Sequence, residues 1–196
     1  MDHYYSENPT TEHRIAQIEY SLGDINLKFT TDSGVFSKDK VDYGTNVLLR
    51  SLPPIDGRIL DLGCGYGPIG ITLARLNPRA EITMIDINQR AVDLAKINIE
   101  QNGVKNARVL QSNGFENLEG TFNAIISNPP IRTGKKVIYS LFEESIQYLE
   151  NGGSIYLVIQ KKQGAKSAME KLNEIYGNCR AINKKGGYWI LHSVKV

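Results

Sequence analysis

Arg58-Ile59-Leu60-Asp61-Leu62-Gly63-Cys64-Gly65-Tyr66-Gly67-Pro68-Ile69-Gly70 is the stretch on which the fold turns. Ile59, Leu60 and Leu62 make a short apolar run, the mark of a buried strand. Glycines then crowd together, and beyond Pro68 the apolar residues Ile69, Leu73, Ala74 and Leu76 recur at helical spacing. The predicted unit is strand, tight glycine turn, helix. Gly63, Gly65 and Gly67 can take positive φ and let the backbone come close to a ligand. In an open α/β sheet such a turn lies at the carboxyl end of a strand, where ligands bind.

Downstream, strands and helices alternate. Glu81–Ile87 reads as a second buried strand ending near Asp86, and Gln89–Gln101 as a helix stopped by Asn102-Gly103. Ala107–Gln111 and Phe122–Ser127 are the third and fourth strands. Val137, Ile138, Leu141, Phe142, Ile146 and Leu149 mark an amphipathic helix ended by Asn151-Gly152-Gly153, with Ser154–Ile159 as a fifth strand. Residues 164–176 are helical, with Ala168, Met169, Leu172 and Ile175 inward. Two last strands flank the hairpin signature Asn183-Lys184-Lys185-Gly186-Gly187. Upstream, apolar and polar residues alternate over 16–22 and 25–29 around Gly23-Asp24, predicting an N-terminal β-hairpin. A turn-rich connection over 31–44 leads into a helix over 45–52, which Pro53-Pro54 stops. So long a connection inside a compact domain is usually functional.

The glycine pattern alone suits two cofactors. Gly65, Gly67 and Gly70 satisfy G-x-G-x-x-G and Asp86 follows about twenty residues later, as in a dinucleotide site for NAD. Asp61, on the strand two residues before the first glycine, would face a diphosphate badly and suits a ligand carrying an ammonium group. Asp86 can accept hydrogen bonds from ribose hydroxyls of either adenosine cofactor. The fourth strand delivers Asn128-Pro129-Pro130-Ile131 to the same sheet edge. Two prolines stiffen this loop. An asparagine oxygen and a backbone carbonyl could then hold both N–H groups of an amine and aim its lone pair before any reaction.

Asp61 to Gly67 resembles the first motif of class I S-adenosylmethionine-dependent methyltransferases, and Asn128-Pro129-Pro130 resembles the catalytic motif of the amino-group members. Gly34-Val35-Phe36-Ser37, followed by Asp42, Gly44 and a helix, resembles the segment that closes over the cofactor in small-subunit ribosomal RNA guanine-N2 methyltransferases. The resemblance runs from about His13 to the C-terminus. It implies a Rossmann-like, seven-stranded, mostly parallel sheet with an antiparallel C-terminal hairpin, the Arg58–Leu62 strand central, and the N-terminal hairpin added. It implies S-adenosylmethionine as cofactor, bound by Asp61, Gly63, Cys64, Gly65, Gly67, Asp86, Ile87, Asn113 and Asn128, with Asn113 at the adenine amino group. Asn128, Pro129 and Pro130 would be catalytic, and Phe36, Asp42, Ile131 and Arg132 would meet substrate, with Gly44 also lining the pocket. The implied partner is ribosomal RNA or the small ribosomal subunit, and the implied location is the cytoplasm. The larger members carry a further N-terminal domain, for which this chain has no room. Where adenine-N6 and protein-glutamine enzymes have an aromatic, this chain has Ile131, which counts against those targets. Another amino-group substrate, or an NAD-binding oxidoreductase, is the competing reading.

Composition sets the outer bounds. The 196 residues suit one domain: an arm over 1–13, the hairpin over 14–35 and a core over 36–196. Hydrophobic content of 41% and charged content of 22% are ordinary for a globular chain. No apolar run reaches membrane-span length, and the N-terminus has no signal-peptide pattern. Cys64 and Cys179 are too few for a disulfide framework, and His3, His13 and His192 are scattered, so no metal site is expected. A net charge of +2 permits nucleic-acid binding without arguing for it. Arg132, Lys135 and Lys136 form a local basic cluster that could meet phosphates.

Overall fold

In a computed structural model that describes residues 12–196, the glycine stretch is strand, turn and helix: β3 (Arg58–Leu62), the loop 63–67, and α2 (Pro68–Leu76). Ahead of it come β1 (Ala16–Leu22), β2 (Ile25–Thr31) and α1 (Tyr43–Leu49). After it come β4 (Glu81–Asp86), α3 (Gln89–Gln101), β5 (Ala107–Gln111), β6 (Phe122–Ser127), α4 (Lys135–Ser145), β7 (Leu149–Gln160), α5 (Ala165–Tyr176), β8 (Arg180–Lys185) and β9 (Tyr188–Val194). The main sheet has seven strands in the order β5-β4-β3-β6-β7-β9-β8. All pairings are parallel except β7 with β9 and β8 with β9. This is the expected Rossmann-like sheet with an antiparallel C-terminal hairpin. β3 is an interior strand, but β6 takes the middle place.

The core has two halves, one on each face. Ile59, Met84, Ala124 and Val158 pack with α1, α2, α3 and the β1–β2 hairpin, while Leu60, Ile125, Ile155 and Leu157 pack with α4 and α5. Adjacent residues of β3 therefore go to opposite faces, both buried, which is why its sequence is a continuous apolar run. Because the chain winds outward from β3 to β5 and then returns to place β6 on the other side of β3, the sheet has a switch point between β3 and β6. The glycine loop and the Asn128-Pro129-Pro130 loop leave the carboxyl ends of these two neighbours, where a crevice is dictated by topology.

One element differs clearly from the sequence reading. The helix expected to run to Leu149 ends at Ser145: Ile146–Tyr148 is a 3₁₀ turn, and Leu149 through Gly153 already belong to β7. Ile146 and Leu149 keep helical spacing because both face the same core, not because the helix continues. The hairpin of β1 and β2, with Gly23-Asp24 as its turn, forms a separate two-stranded sheet that braces α3. The Asn98 side chain in α3 bonds both backbone groups of Thr30, at 2.7 and 2.9 Å, and reaches the Tyr66 carbonyl at 2.9 Å. One buried amide thus ties hairpin, helix and glycine loop together. Of the arm expected over 1–13, residues 1–11 lie outside the described residues. His13 Nδ1 is 2.5 Å from Asp32 Oδ2, and the Arg14 N–H donates to Asp32 at 2.6 Å.

Candidate active site

A cavity of about 520 Å³ opens at the switch point. Its floor is the glycine loop. Gly63 and Gly65 have φ of +75° and +57°, and a Cβ on either would meet nothing within 4 Å. Glycine is required there by the left-handed backbone, and it leaves that backbone bare toward the cavity. The Gly63 and Cys64 N–H groups both donate to the Ile85 carbonyl at 2.9 Å, and Ser127 Oγ donates to the Leu62 carbonyl at 2.6 Å. The ends of β4, β3 and β6 are thereby fixed relative to one another.

The sequence-predicted residues come together at this cavity with few exceptions. Phe36, Asp42, Gly63, Cys64, Gly65, Asp86, Ile87, Asn113, Asn128, Pro129, Pro130 and Ile131 all line it. Asp61, Gly67 and Gly44 do not. Asp61 sits behind the wall, wholly buried, its Oδ2 accepting the Gly70 N–H of α2 at 2.8 Å. Gly67, at φ +98°, caps α2, where a Cβ would strike Ile71. Gly44 is covered by the Tyr188 ring. Arg132 lies in the 3₁₀ turn Ile131–Thr133, and its side chain falls outside the described part of the structure.

Burial raises the Asp61 carboxyl to about 7, with the Gly70 N–H pulling it back down and the nearby Asp86 charge pushing it further up. Among the described residues its Oδ1 has no hydrogen-bond partner. Folded Asp61 therefore keeps a proton up to about pH 7 that the unfolded chain releases near 3.8. Between those values the folded state binds more protons, so this group lowers stability as pH rises. Asp61→Asn removes the titration. The difference in unfolding midpoint between variant and wild type, without ligand, should shift in the variant's favour from pH 4 to pH 8. A difference constant across that range would refute this placement of the charge.

Asp86 ends β4 at the cavity. Its Oδ2 accepts the Gly65 N–H at 2.8 Å and its Oδ1 the Asn88 N–H at 2.9 Å. Burial raises its pKa, while those backbone donors and that of Ile87 oppose the rise. Three backbone donors leave the carboxylate one acceptor site for a ligand hydroxyl. Asn113, exposed just beyond the neighbouring strand β5, donates its amide to Glu116 at 3.0 Å, which leaves its oxygen to accept. Burial also pushes the Cys64 thiol well above its ordinary value, with the Asp86 and Asp61 charges adding to the rise. It is therefore a small neutral wall residue rather than a nucleophile.

Residues 34–37 cross the cavity as a strap. Asn88 Nδ2 donates to the Gly34 carbonyl at 3.1 Å, Arg90 Nη1 to Ser33 at 2.7 Å, and the Tyr66 hydroxyl to Ser37 at 3.3 Å. Phe36, 44% exposed, is left at the mouth beside Val137, which the helix periodicity alone would have put inside.

The geometry of the Asn128-Pro129-Pro130 loop turns on Asn128. Its Nδ2 donates to Asp42 Oδ2 at 3.1 Å and to Thr45 Oγ1 at 3.0 Å. An ionised carboxylate only accepts, so the nitrogen side of the amide must face Asp42. Both amide hydrogens are then used, and Oδ1 is the polar atom left for the cavity. Asp42 itself is the N-cap of α1, its Oδ2 also accepting the Thr45 N–H at 3.1 Å. Pro129 is buried, and its carbonyl accepts the Ile131 N–H at 2.8 Å. Pro130, at φ −74° and ψ 73°, is the centre of that inverse γ-turn. The Pro129 carbonyl keeps its second lone pair. Thr45, Ser127 and Tyr188 also line the cavity and were not singled out in the sequence. No short-range pattern marks them.

Among the described residues no group of His, Cys, Asp and Glu could hold a metal, and no helix is long and apolar enough to cross a membrane. The methyltransferase small domain family matches residues 26–192. The uncharacterized protein YbxB of Bacillus subtilis is 47% identical over 199 residues, covering 100% of this chain and 99% of that protein. Ribosomal RNA small subunit methyltransferase C of Shewanella amazonensis is 30% identical, covering 95% of this chain but 55% of the relative. The chain thus spans about half the length of such relatives. The 16S rRNA N2 methyltransferase RsmC of T. thermophilus, solved with AdoMet and guanosine, superposes with a TM-score of 0.84 at 27% identity, over 96% of this chain and 52% of that one. The match across residues 26–192 and the 30% identity over nearly the whole chain agree: this chain belongs to the methyltransferase small domain family.

Proposed function

We propose that this methyltransferase transfers a methyl group from S-adenosylmethionine to an amino nitrogen, and that the nitrogen is N2 of a guanine in small-subunit ribosomal RNA. The observation that carries the chemistry is the orientation of Asn128, whose amide hydrogens are both occupied, which leaves Oδ1 to accept from a substrate. An exocyclic amino group offers two N–H donors. Asn128 Oδ1 and the free lone pair of the Pro129 carbonyl accept them, which turns the nitrogen lone pair away from ring conjugation and toward the methyl. Binding in that pose supplies the orientation before reaction.

The residues present fit the cofactor. The bare backbone of Gly63 and Gly65 forms a cradle, Asp86 can accept from a ribose diol, and Asn113 Oδ1 can accept from an adenine amino group. When bound, S-adenosylmethionine supplies an electrophilic methyl on a cationic sulfur. Asp61, buried behind the cavity wall, holds α2 through the Gly70 N–H. The guanine assignment is supported by the likeness to relatives named for the small-subunit RNA, by the strap 34–37, and by Ile131 at a position where an aromatic would bracket other targets.

Two measurements test this. Asp86→Ala should weaken S-adenosylmethionine binding by about tenfold to a hundredfold in calorimetry, the value of a hydrogen bond to a charged group. Unchanged affinity would remove Asp86 from the cofactor site. Radiolabelled methyl offered in parallel with total RNA, small ribosomal subunits and protein extract should enter small-subunit RNA. Label confined to protein would overturn the RNA assignment while leaving the cofactor site standing.

A further inference from the structure

We infer that three loops at the cavity edge form a continuous docking surface for the phosphate backbone of the RNA; this rests on RNA being the substrate class. The loops are the start of α4 (131–137), the turn after β7 into α5 (160–169) and the β8–β9 turn (183–188). None contains an aspartate or glutamate, and they carry Lys135, Lys136, Lys161, Lys162, Lys166, Lys184 and Lys185. All these lysines are exposed, and none makes an ion pair with a carboxylate among the described residues. The chain as a whole carries a net charge of only +2, so this edge is locally far more positive than the average surface.

Topology and contacts make the three loops one surface. β6, β7, β9 and β8 are successive neighbours, so the loops span roughly 14 Å of sheet edge at the spacing of adjacent strands. The Lys161 N–H donates to the Gly187 carbonyl at 2.7 Å, joining the second loop to the third. A Cβ at Gly164 would lie 3.9 Å from Lys135 Cε, so the second loop also abuts the first. The third loop is held to the catalytic edge by Tyr43, whose ring would lie 2.4 Å from a Cβ on Gly186 and which packs on Tyr188. Lys162 itself lines the cavity, so the positive surface begins where the target base would leave.

Lys184 Nζ lies 3.9 Å from the centre of the Trp189 ring, but helix stability does not account for Lys135, Lys136 and Lys166. Lys135 and Lys136 open α4, and Lys166 is the second residue of α5. Cations at helix N-termini oppose the macrodipole. A polyanion lying across the edge would reverse that cost, with sequence read elsewhere and register set by phosphate contacts.

The test is binding of a small-subunit ribosomal RNA fragment across a salt series. The triple variant Lys136→Gln, Lys161→Gln, Lys185→Gln is compared with an equal loss of charge elsewhere, Lys28→Gln, Lys96→Gln, Lys105→Gln. None of these six side chains lines the cavity. The first triple should bind about tenfold or more weakly at low salt, with the slope of log affinity against log salt reduced by about 2, or roughly 0.7 per lost contact. Calorimetric affinity for S-adenosylmethionine and the unfolding midpoint should stay at wild-type values. The second triple should keep the slope. Equal slopes in wild type and first triple, or equal losses in both triples, would overturn the docking surface. Absence of RNA binding by the wild type, with S-adenosylmethionine still bound, would instead show that the RNA reading itself is wrong.

Discussion

Asn128→Ala should collapse methyl transfer, by about a hundredfold or more, while S-adenosylmethionine still binds close to wild-type affinity. The size follows from removing one preorganised acceptor at a reacting centre. The selectivity follows from position: Asn128 lies at the end of β6, across the cavity from the Asp86 carboxylate. Its amide nitrogen is spent on Asp42 and Thr45, which leaves Oδ1 to accept. Asn128→Asp keeps an acceptor but puts a second carboxylate where Asp42 Oδ2 now accepts a hydrogen bond at 3.1 Å. Two carboxylates that close cannot both ionise freely. This variant should therefore lose nearly as much activity as the alanine, and its residual rate should rise at acid pH as the pair takes up a proton. Full turnover by Asn128→Ala on the true substrate would reduce the Asn-Pro-Pro loop to a structural role.

The second large effect is expected one step further out, at Asp42→Asn. The variant is nearly isosteric, and asparagine caps a helix as well as aspartate, so α1 should keep its stability. What changes is polarity. Asparagine can present a donor to Asn128, and the reason for one fixed amide orientation disappears. Losing a charge-assisted hydrogen bond of this kind is worth about tenfold to a hundredfold in turnover. The loss should fall on kcat rather than on cofactor affinity, with an unfolding midpoint near wild type. Thr45→Val, which removes the other acceptor, should show a smaller loss that Thr45→Ser restores. If Asp42→Asn instead raises KM with kcat intact, Asp42 meets the substrate directly, as the sequence alone suggested, and does not act through Asn128.

That contrast marks where the sequence was legible. Strands β3 to β7 could be read because apolar runs of strand length are bounded by glycine and proline, and the two loops because their chemistry is local. The partnership of Asp42 with Asn128 joins residues 86 apart, and nothing in either neighbourhood announces it. Asn98 is an ordinary mid-helix polar residue in the sequence, yet it is wholly buried and ties three elements together. The burial of Asp61 was hidden for a different reason. Strand parity puts it on the same face as Ile59, beneath α2, but a strand buried on both sides has no polar face to reveal which way a carboxylate goes. The early end of α4 was hidden likewise, since Ile146 and Leu149 extend the helical spacing into a 3₁₀ turn and a strand.

The measurement that bears most directly on the whole account is the chemical position of the transferred methyl. Small-subunit ribosomal RNA labelled by the protein is digested to nucleosides, and the modified one is identified by mass and by fragmentation of its base. An acceptor pair made of Asn128 Oδ1 and the Pro129 carbonyl matches the two N–H donors of an exocyclic amino group, so the label should be on an exocyclic nitrogen, N2 of guanosine under the proposed assignment. A methyl group on ribose oxygen, on a ring carbon or on a ring nitrogen would leave that acceptor pair without a function and contradict the account.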